Sequence, residues 1–371
     1  MTKKQTYKHT EIGAVPAGWK MKKLGEVCGK ITTGKLDANA MVEDGDYRFY
    51  TCARDYYFID KYAFDNEALL ISGNGENVGY VHYYKGKFNA YQRTYVLTAF
   101  TENIHFIKFY LDSFLAQRID AEVNLGNTPY IKMGTLTEMQ LIIPSSETEQ
   151  SRIASVLSDT DTLITALDKL IEKKKKIKEG AMVALLTPKK KDEWKEVSLG
   201  EACDILNNLR VPVAEARREK GSVPYYGANG IQDYVKGFTH DGEFVLIAED
   251  GANDLANYPV QYTTGRIWVN NHAHILKGKE KEVDTLFLSY LLKKFDFQSA
   301  LVGGTRAKLN KGVLEKLEIR IPTSIVYQTK IANILSSMDV EISALEQKRE
   351  KYRQIKSGMM QQLLNGQIRL N

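Results

Sequence analysis

The sequence predicts an α+β protein: two tandem mixed, strand-rich domains joined by two long antiparallel coiled-coil helices, in a pseudo-two-fold internal repeat. Three observations predict this. Motifs of the first half recur in the second at an offset near 175 residues. Each copy ends in a long stretch with a heptad-like apolar seam. The rest of each copy holds short apolar runs broken by Gly, Asn and Asp, the pattern of strands and turns. A length of 371 residues suits two or three domains, each able to bury a core.

In chain order, residues 1–145 form the first mixed domain, 146–187 the first helix, 188–323 the second mixed domain and 324–371 the second helix. Trp19 with Leu24-Gly25-Glu26-Val27-Cys28 recurs as Trp194 with Leu199-Gly200-Glu201-Ala202-Cys203. Phe49-Tyr50-Thr51-Cys52-Ala53 faces Tyr225-Tyr226-Gly227-Ala228-Asn229. Leu69-Leu70-Ile71-Ser72 faces Val245-Leu246-Ile247-Ala248, and both read as strands. So do residues 80–84 and 265–269, with Gly86 facing Gly265, while Phe106 to Gln117 and Asp284 to Lys294 read as helices.

The long helices follow Pro144 and Pro322. Gln150, Ile153, Ala154, Leu157 and Asp161 face Gln328, Ile331, Ala332, Leu335 and Asp339. The first seam runs through Ile153, Leu157, Ile164, Leu167 and Ile171, and Val156, Leu163, Leu170 and Ile177 widen its stripe. The second runs through Ile331, Leu335, Met338, Ile342, Leu345, Tyr352, Met359 and Leu363. Glu147 and Glu149 at the start and Lys173 to Lys176 late in the first helix complement its dipole, and Pro188 ends it. Forty-odd residues make a rod of roughly 60 Å. Alone it would expose its seam, so its partner is the other copy, and a two-fold relation makes the pair antiparallel.

Composition excludes several classes. A 43% hydrophobic and 26% charged chain is ordinary for a globular protein. Net charge +5 permits nucleic-acid binding without demanding it. Three cysteines (Cys28, Cys52, Cys203) make an odd count without a Cys-x-x-Cys pair, so neither a disulfide framework nor a zinc knuckle is expected, and a reducing cytoplasm is. The polar N-terminus predicts no secretory signal, and no apolar run reaches membrane-spanning length.

The opening Glu11-Ile12-Gly13, Pro16, Gly18-Trp19, Leu24-Gly25-Glu26-Val27 resembles the start of type I restriction-modification specificity subunits. So do Tyr225-Tyr226-Gly227-Ala228-Asn229-Gly230-Ile231, the Pro…Gln-x-x-Ile-Ala starts of both helices, and the tail Leu363-Leu364-Asn365-Gly366. The first copy departs from the Tyr-Tyr-Gly-Ala-Asn-Gly loop at residues 49–53. The resemblance covers the whole chain. It implies two target-recognition domains, each reading one half of a split, asymmetric double-stranded DNA site, with the helices setting the gap, as dimers read half-sites about one turn or 34 Å apart. It implies as partners two methyltransferase subunits, and restriction subunits in the full complex. No cofactor would belong to this chain: S-adenosylmethionine would serve the methyltransferase, which flips the adenine out, and ATP and Mg the restriction subunit. The wide apolar stripe also allows a homodimer of the isolated chain.

Candidate DNA-binding residues follow from matched positions. Asn74 and Asn77 lie in a Gly-rich turn after a strand, facing Asn253. A strand-like run follows them rather than a helix, so a nucleotide fingerprint is disfavoured, and a tight turn competes with a DNA-contacting loop. Asn229 belongs to the resembling loop. Gln92-Arg93-Thr94 faces Asn271-His272-Ala273; Gln and Asn pair with adenine and Arg with guanine, against ordinary sheet hydrogen bonding. Asn127, Thr128 and Lys132 face Thr305, Arg306 and Lys308, groups that suit phosphate, against a surface turn. The lysine run reads first as a solvated helix face. His272 and His274 lack a completing metal ligand. Leu163, Leu170 and Leu363 are expected on the outer faces of the helices, against the methyltransferase subunits.

No Walker loop and no Asn/Asp-Pro-Pro-Tyr/Phe methylation motif occurs, and no Ser-His-Asp arrangement stands out. A non-catalytic reader is therefore expected. The rival readings are a self-contained endonuclease or methyltransferase, and a coiled-coil adaptor that binds proteins.

Overall fold

The computed structural model describes residues 7–10, 13–122, 130–188, 193–301 and 308–370. The chain divides into two compact units, residues 1–168 with 347–371, and residues 169–346. The crossings fall inside the two long helices, so each unit holds one mixed domain and half of either helix.

In the first unit β1 (Tyr7–Thr10) and β2 (Gly13–Pro16) form a hairpin, followed by β3 (Trp19–Lys23) and the single turn α1 (Leu24–Val27). Next come β4 (Cys28–Thr33), β5 (Tyr47–Tyr50), β6 (Tyr57–Ile59), β7 (Phe64–Ser72), β8 (Val81–Ala90) and β9 (Thr94–Phe100). These build a six-stranded sheet in the order β4-β9-β7-β8-β5-β6, antiparallel except for β5 beside β8. Then α2 (Ile104–Asp120), α3 (Met133–Thr137), β10 (Gln140–Pro144) and α4 (Glu147–Leu186) follow.

The second unit repeats the plan. β11 (Trp194–Ser198), α5 (Leu199–Ala202), β12 (Cys203–Ile205), β13 (Lys220–Gly227), β14 (Gly230–Val235), β15 (His240–Ala248), β16 (Val260–Val269) and β17 (Ala273–Gly278) precede α6 (Thr285–Lys293), α7 (Lys311–Glu315), β18 (Glu318–Pro322) and α8 (Ile325–Leu363). The sheet order is β12-β17-β15-β16-β13-β14, again with one parallel pair, β13 beside β16.

The central strands are buried on both faces, which is why they read as continuous apolar runs. On β7, Leu69 and Ile71 pack with Phe106, Ile107 and Leu111 of α2, while Ala68 and Leu70 pack with Phe88 and Val96 on the opposite face. On β15, Val245 and Ile247 meet Phe287 and Leu288 of α6, while Phe244 and Leu246 meet Ile267 and Val269.

The repeated motifs meet in space. Trp19 lies opposite Pro144 in the β3–β10 ladder, and Trp194 opposite Pro322 in β11–β18. The repeated glutamines tie these ladders to the helices. Gln150, fully buried, accepts from Asn103 N–H (2.9 Å) and donates to Pro144 C=O (2.9 Å). Gln328 accepts from Asp284 N–H (2.9 Å) and donates to Pro322 C=O (2.8 Å) and Glu282 C=O (3.0 Å). Asn103 and Asp284 in turn cap α2 and α6.

Within each unit the α4 and α8 segments run antiparallel. In the first, Asp161 meets Lys356 (2.6 Å) and Asp168 meets Arg349 (2.9 Å). In the second, Lys178 meets Asp339 and Lys174 meets Glu341 (2.6 Å). The seam residues Ile153, Leu157, Ile331, Leu335 and Ile342 are buried as expected. The fold class is the expected one: two mixed, strand-rich domains with paired long helices.

One helix residue departs from expectation. Leu363 is 4% exposed and sits in the first unit's core with Leu364, so it does not lie on an outer face. The reason is that the chain turns back at Gly366 (φ +69°), which rests on Pro16 and Trp19. Arg369 then makes a bidentate pair with the buried Glu149 (2.5 and 2.7 Å) and donates to Ala17 C=O (2.5 Å).

All three cysteines are free thiols, and burial pushes those of Cys28 and Cys203 up to about 12. Among the described residues no helix is long and apolar enough to cross a membrane.

Candidate nucleic-acid interface

In the first unit residues of five connections, β4–β5, β5–β6, β7–β8, β8–β9 and α2–α3, meet at one end of the six-stranded sheet. Gly73 N–H donates to Arg93 C=O (2.8 Å), and Ile131 N–H donates to Gly73 C=O (2.8 Å). A side chain at Gly73 would stand 2.2 Å from that Arg93 oxygen, so the close approach requires glycine. Asn74 bridges to Tyr130. Asn77 donates to Cys52 C=O (3.2 Å) and accepts from Arg54 (3.1 Å). Gln92 is held by Leu36 C=O through its backbone and by Asp37 through its side chain, both at 2.8 Å.

The exposed groups at this junction include Gln92, Arg93, Arg54, Tyr80, Tyr130 and Lys132, and the carboxylates Asp55 and Glu76 on the same connections. The Arg54 guanidinium lies over the Tyr80 ring (5.7 Å) and the Lys132 ammonium over Tyr130 (5.8 Å). The structure thus brings Asn74, Asn77, Gln92, Arg93 and Lys132 to one place. Thr94 does not belong there. It is fully buried at the start of β9, paired with Ser72 of β7, because the strand alternation turns it inward where Arg93 turns out.

The second unit builds the same junction from different side chains. Glu249 N–H donates to His272 C=O (2.9 Å), and Leu309 N–H donates to Glu249 C=O (2.8 Å), the places of Gly73, Arg93 and Ile131. Asp250 bridges to Lys308 as Asn74 does to Tyr130. Asn229 donates to Gly251 C=O (2.8 Å) and accepts from Asn253 N–H (3.0 Å), so it shapes this loop. His272 pairs with Asp250 (2.5 Å) and, with Asn271, is exposed.

Glu249 organises the charge beneath. Arg210 (2.6 Å) and Lys308 (3.1 Å) pair with it, and Arg210 also donates to Ala273 C=O (3.0 Å). Burial works to raise the Glu249 carboxyl, but hydrogen bonds from Arg210 and Lys308 and the nearby His274 outweigh it and hold it below the usual range. His274 is fully buried, donates to Leu309 C=O (2.7 Å) and is turned away from His272 into the sheet. Among the described residues no group of three His, Cys, Asp or Glu side chains could hold a metal.

Asn127, Thr128, Thr305 and Arg306 lie outside the described residues. Sequence reasoning missed Arg54, Tyr80, Tyr130 and Arg210. Arg54 directly follows the matched block at 49–53, but Tyr130 takes the place of Lys308 only through sheet geometry, since the alignment set Lys132 there. On the helices Leu170 is 38% exposed and Leu163 half-buried, with Val156 and Ile177 also exposed on α4.

Two stretches, residues 16–179 and 191–355, match the domain described as the type I restriction modification DNA specificity domain. A Haemophilus influenzae protein whose name places it among type I restriction enzyme specificity subunits is 49% identical over 146 residues, 39% of this chain and 37% of that protein. The type I restriction enzyme EcoDI specificity subunit of Escherichia coli is 34% identical over 187 residues, 49% of this chain and 41% of that one. The chain thus spans about two fifths of the length of these two relatives. The crystal structure of a type I restriction-modification S subunit from M. genitalium superposes with a TM-score of 0.72 at 18% identity, over 93% of this chain and 96% of that one, a likeness of fold. With that domain matched twice and along most of its length, the chain belongs to the family of type I restriction-modification DNA specificity proteins.

Proposed function

We propose that this chain is the DNA-recognition subunit of a type I restriction-modification complex, in which each mixed domain reads one half of a bipartite, asymmetric site. One observation carries the reading. The same loop junction is built twice, once on each of two sheets of the same order, with Gln92 and Arg93 exposed on one copy and Asn271 and His272 on the other. A shared scaffold with different edge-reading groups is what two different half-sites need. Lys132 and Lys308 supply phosphate contacts beside them, and Asn74, Asn77, Asn229 and Asn253 set the loops.

The chain takes no chemical step itself. Methyltransferase subunits, two by the repeat, bring S-adenosylmethionine, and restriction subunits bring ATP and Mg. Leu163 and Leu170, with Val156 and Ile177, supply apolar contact to the methyltransferase, because they stand outside the buried seam of α4. Such a complex works on cytoplasmic DNA.

The test is co-expression with the adenine methyltransferase of the same operon and single-molecule mapping of N6-methyladenine across a genome. A split motif with a fixed gap, absent without this chain, is the expected result. Methylation at an unsplit motif would overturn the two-half reading. A stable complex without chain-dependent methylation would make the chain an adaptor.

A further inference from the structure

The second unit has a cavity of about 330 Å³ that the first unit's plan does not require. Its floor is Tyr225 of β13 and Trp268 of β16, neighbours in the parallel pair, whose rings stack at 6.5 Å and 30°. Its rim is Arg217, Arg218, Lys236 and Glu219, three cations against one carboxylate. In the first unit the equivalent parallel pair is Phe49 with Asn89, and Asn89 is buried and donates to Lys61 C=O (2.9 Å). The shared fold therefore does not need a tryptophan at this place.

The cavity is held open by its own geometry. The Trp268 indole N–H donates to Val211 C=O (2.7 Å), which fixes the ring. Gly237 (φ +84°) lies at the ring edge, where a side chain would come to 3.3 Å of it. Arg218 covers one side of Tyr225 at 4.3 Å and is pinned by Val213 C=O (3.1 Å) and Asp233 (3.6 Å). Arg217 and Lys236 stand exposed on the rim. A half-exposed indole face beside a pinned guanidinium, with exposed Arg217 and Lys236 at the mouth and Glu219 only 3.7 Å from Lys236, suits a flat aromatic ring joined to an anionic group. The volume falls in the range of small-ligand sites, about 300–1,000 Å³.

We propose that this cavity is a nucleotide site, with the base against Trp268 and the phosphate on Arg217 and Lys236. The nucleotide comes either free from solution or from a strand of bound DNA, and only the second source rests on the DNA-recognition reading. The experiment has an arm for each. In the first, dAMP, dGMP, dCMP, TMP and ATP are titrated into the full chain, with binding read by saturation-transfer NMR. In the second, 2-aminopurine is placed along a single strand and along a duplex, and its fluorescence is followed on binding to the chain with its methyltransferase partner.

The expected result is binding in at least one arm that weakens tenfold or more in Trp268→Leu and several-fold in Arg217→Glu. Thermal unfolding of both variants confirms that they fold, and Lys85→Glu on the first unit leaves the binding unchanged. Binding that is the same in Trp268→Leu and Arg217→Glu overturns the site. So does the lack of nucleotide binding at millimolar concentration together with a flat 2-aminopurine signal on DNA that the complex does bind. If the complex binds no DNA at all, the DNA-recognition reading fails and the free-nucleotide arm alone decides the site.

Discussion

Asp161 of α4 pairs with Lys356 of α8 at 2.6 Å, and the repeat carries the same two residue types to Asp339 and Lys178, which pair in the second unit. Each helix thus gives its aspartate to one unit and its lysine to the other. The pair fixes the register of the antiparallel segments where the apolar seam alone would tolerate a slip by one heptad.

The energetic share of this pair is small, because its side chains are 44% and 22% exposed. Surface pairs contribute about 0.2–1 kcal/mol. Asp161→Asn should therefore cost under about 1 kcal/mol, and the exchange Asp161→Lys with Lys356→Asp should recover most of it. A double-mutant cycle in urea unfolding measures the coupling. A coupling of zero would leave register to Leu157, Leu167 and their partners alone.

The buried glutamines carry more. Gln328→Leu keeps the volume but leaves Asp284 N–H, Pro322 C=O and Glu282 C=O without their partner. Orphaned buried groups cost about 1–3 kcal/mol each. With three such groups a loss of about 3 kcal/mol or more is expected, confined to the second unit. Hydrogen-exchange mass spectrometry should show α6 and β18 losing protection while β7 and α2 keep theirs. Gln150→Leu should show the mirror pattern.

These glutamines also mark how far the sequence could be read. Their repetition was visible, and so were the helices they begin, because heptad spacing and a matched copy are local signals. Their partners were not, because Asn103 and Asp284 lie more than forty residues away. The candidate interface divides in the same way. Arg93 and His272 stood out as matched positions with different chemistry. Arg210 did not, since its importance comes from Glu249, which reaches it only when β12 and β15 share a sheet. Thr94 and Leu363 failed for a related reason: a one-residue step along a strand, or a chain reversal after a helix, turns a side chain from surface to core.

His274 gives the second unit a pH dependence. Its ring donates to Leu309 C=O (2.7 Å) and meets the Asn207 amide (2.8 Å), an arrangement that suits the neutral imidazole. Burial holds its proton affinity below the usual range; the Leu309 carbonyl and Glu249 work against this, and Arg210 and Lys308 add to it. The folded state then binds fewer protons than the unfolded one, so stability is lost as pH falls below about 6.5. His240, lowered chiefly by burial as well, acts in the same direction. The urea midpoint of the second unit should fall as pH drops from about 7.5 to about 5.5, and His274→Gln should remove part of that fall. A midpoint flat across this range in the wild-type chain would contradict the assignment.

The two junctions should fail separately on DNA. Arg93→Ala removes an exposed guanidinium without touching the backbone bonds at Gly73, so the first sheet stays intact. One lost base contact is worth about 1–3 kcal/mol. The mapped methylation motif should relax at one position in one half-site and keep the other half and the gap. His272→Ala should relax the opposite half. Lys132→Ala should instead weaken binding to every sequence alike and lower the salt slope by about one, as a phosphate contact does. If Arg93→Ala and His272→Ala were to relax the same half, the two junctions would not read separate half-sites. If both weakened binding uniformly, base recognition would lie elsewhere on the sheets, with Arg54 and Tyr130 the next positions to replace.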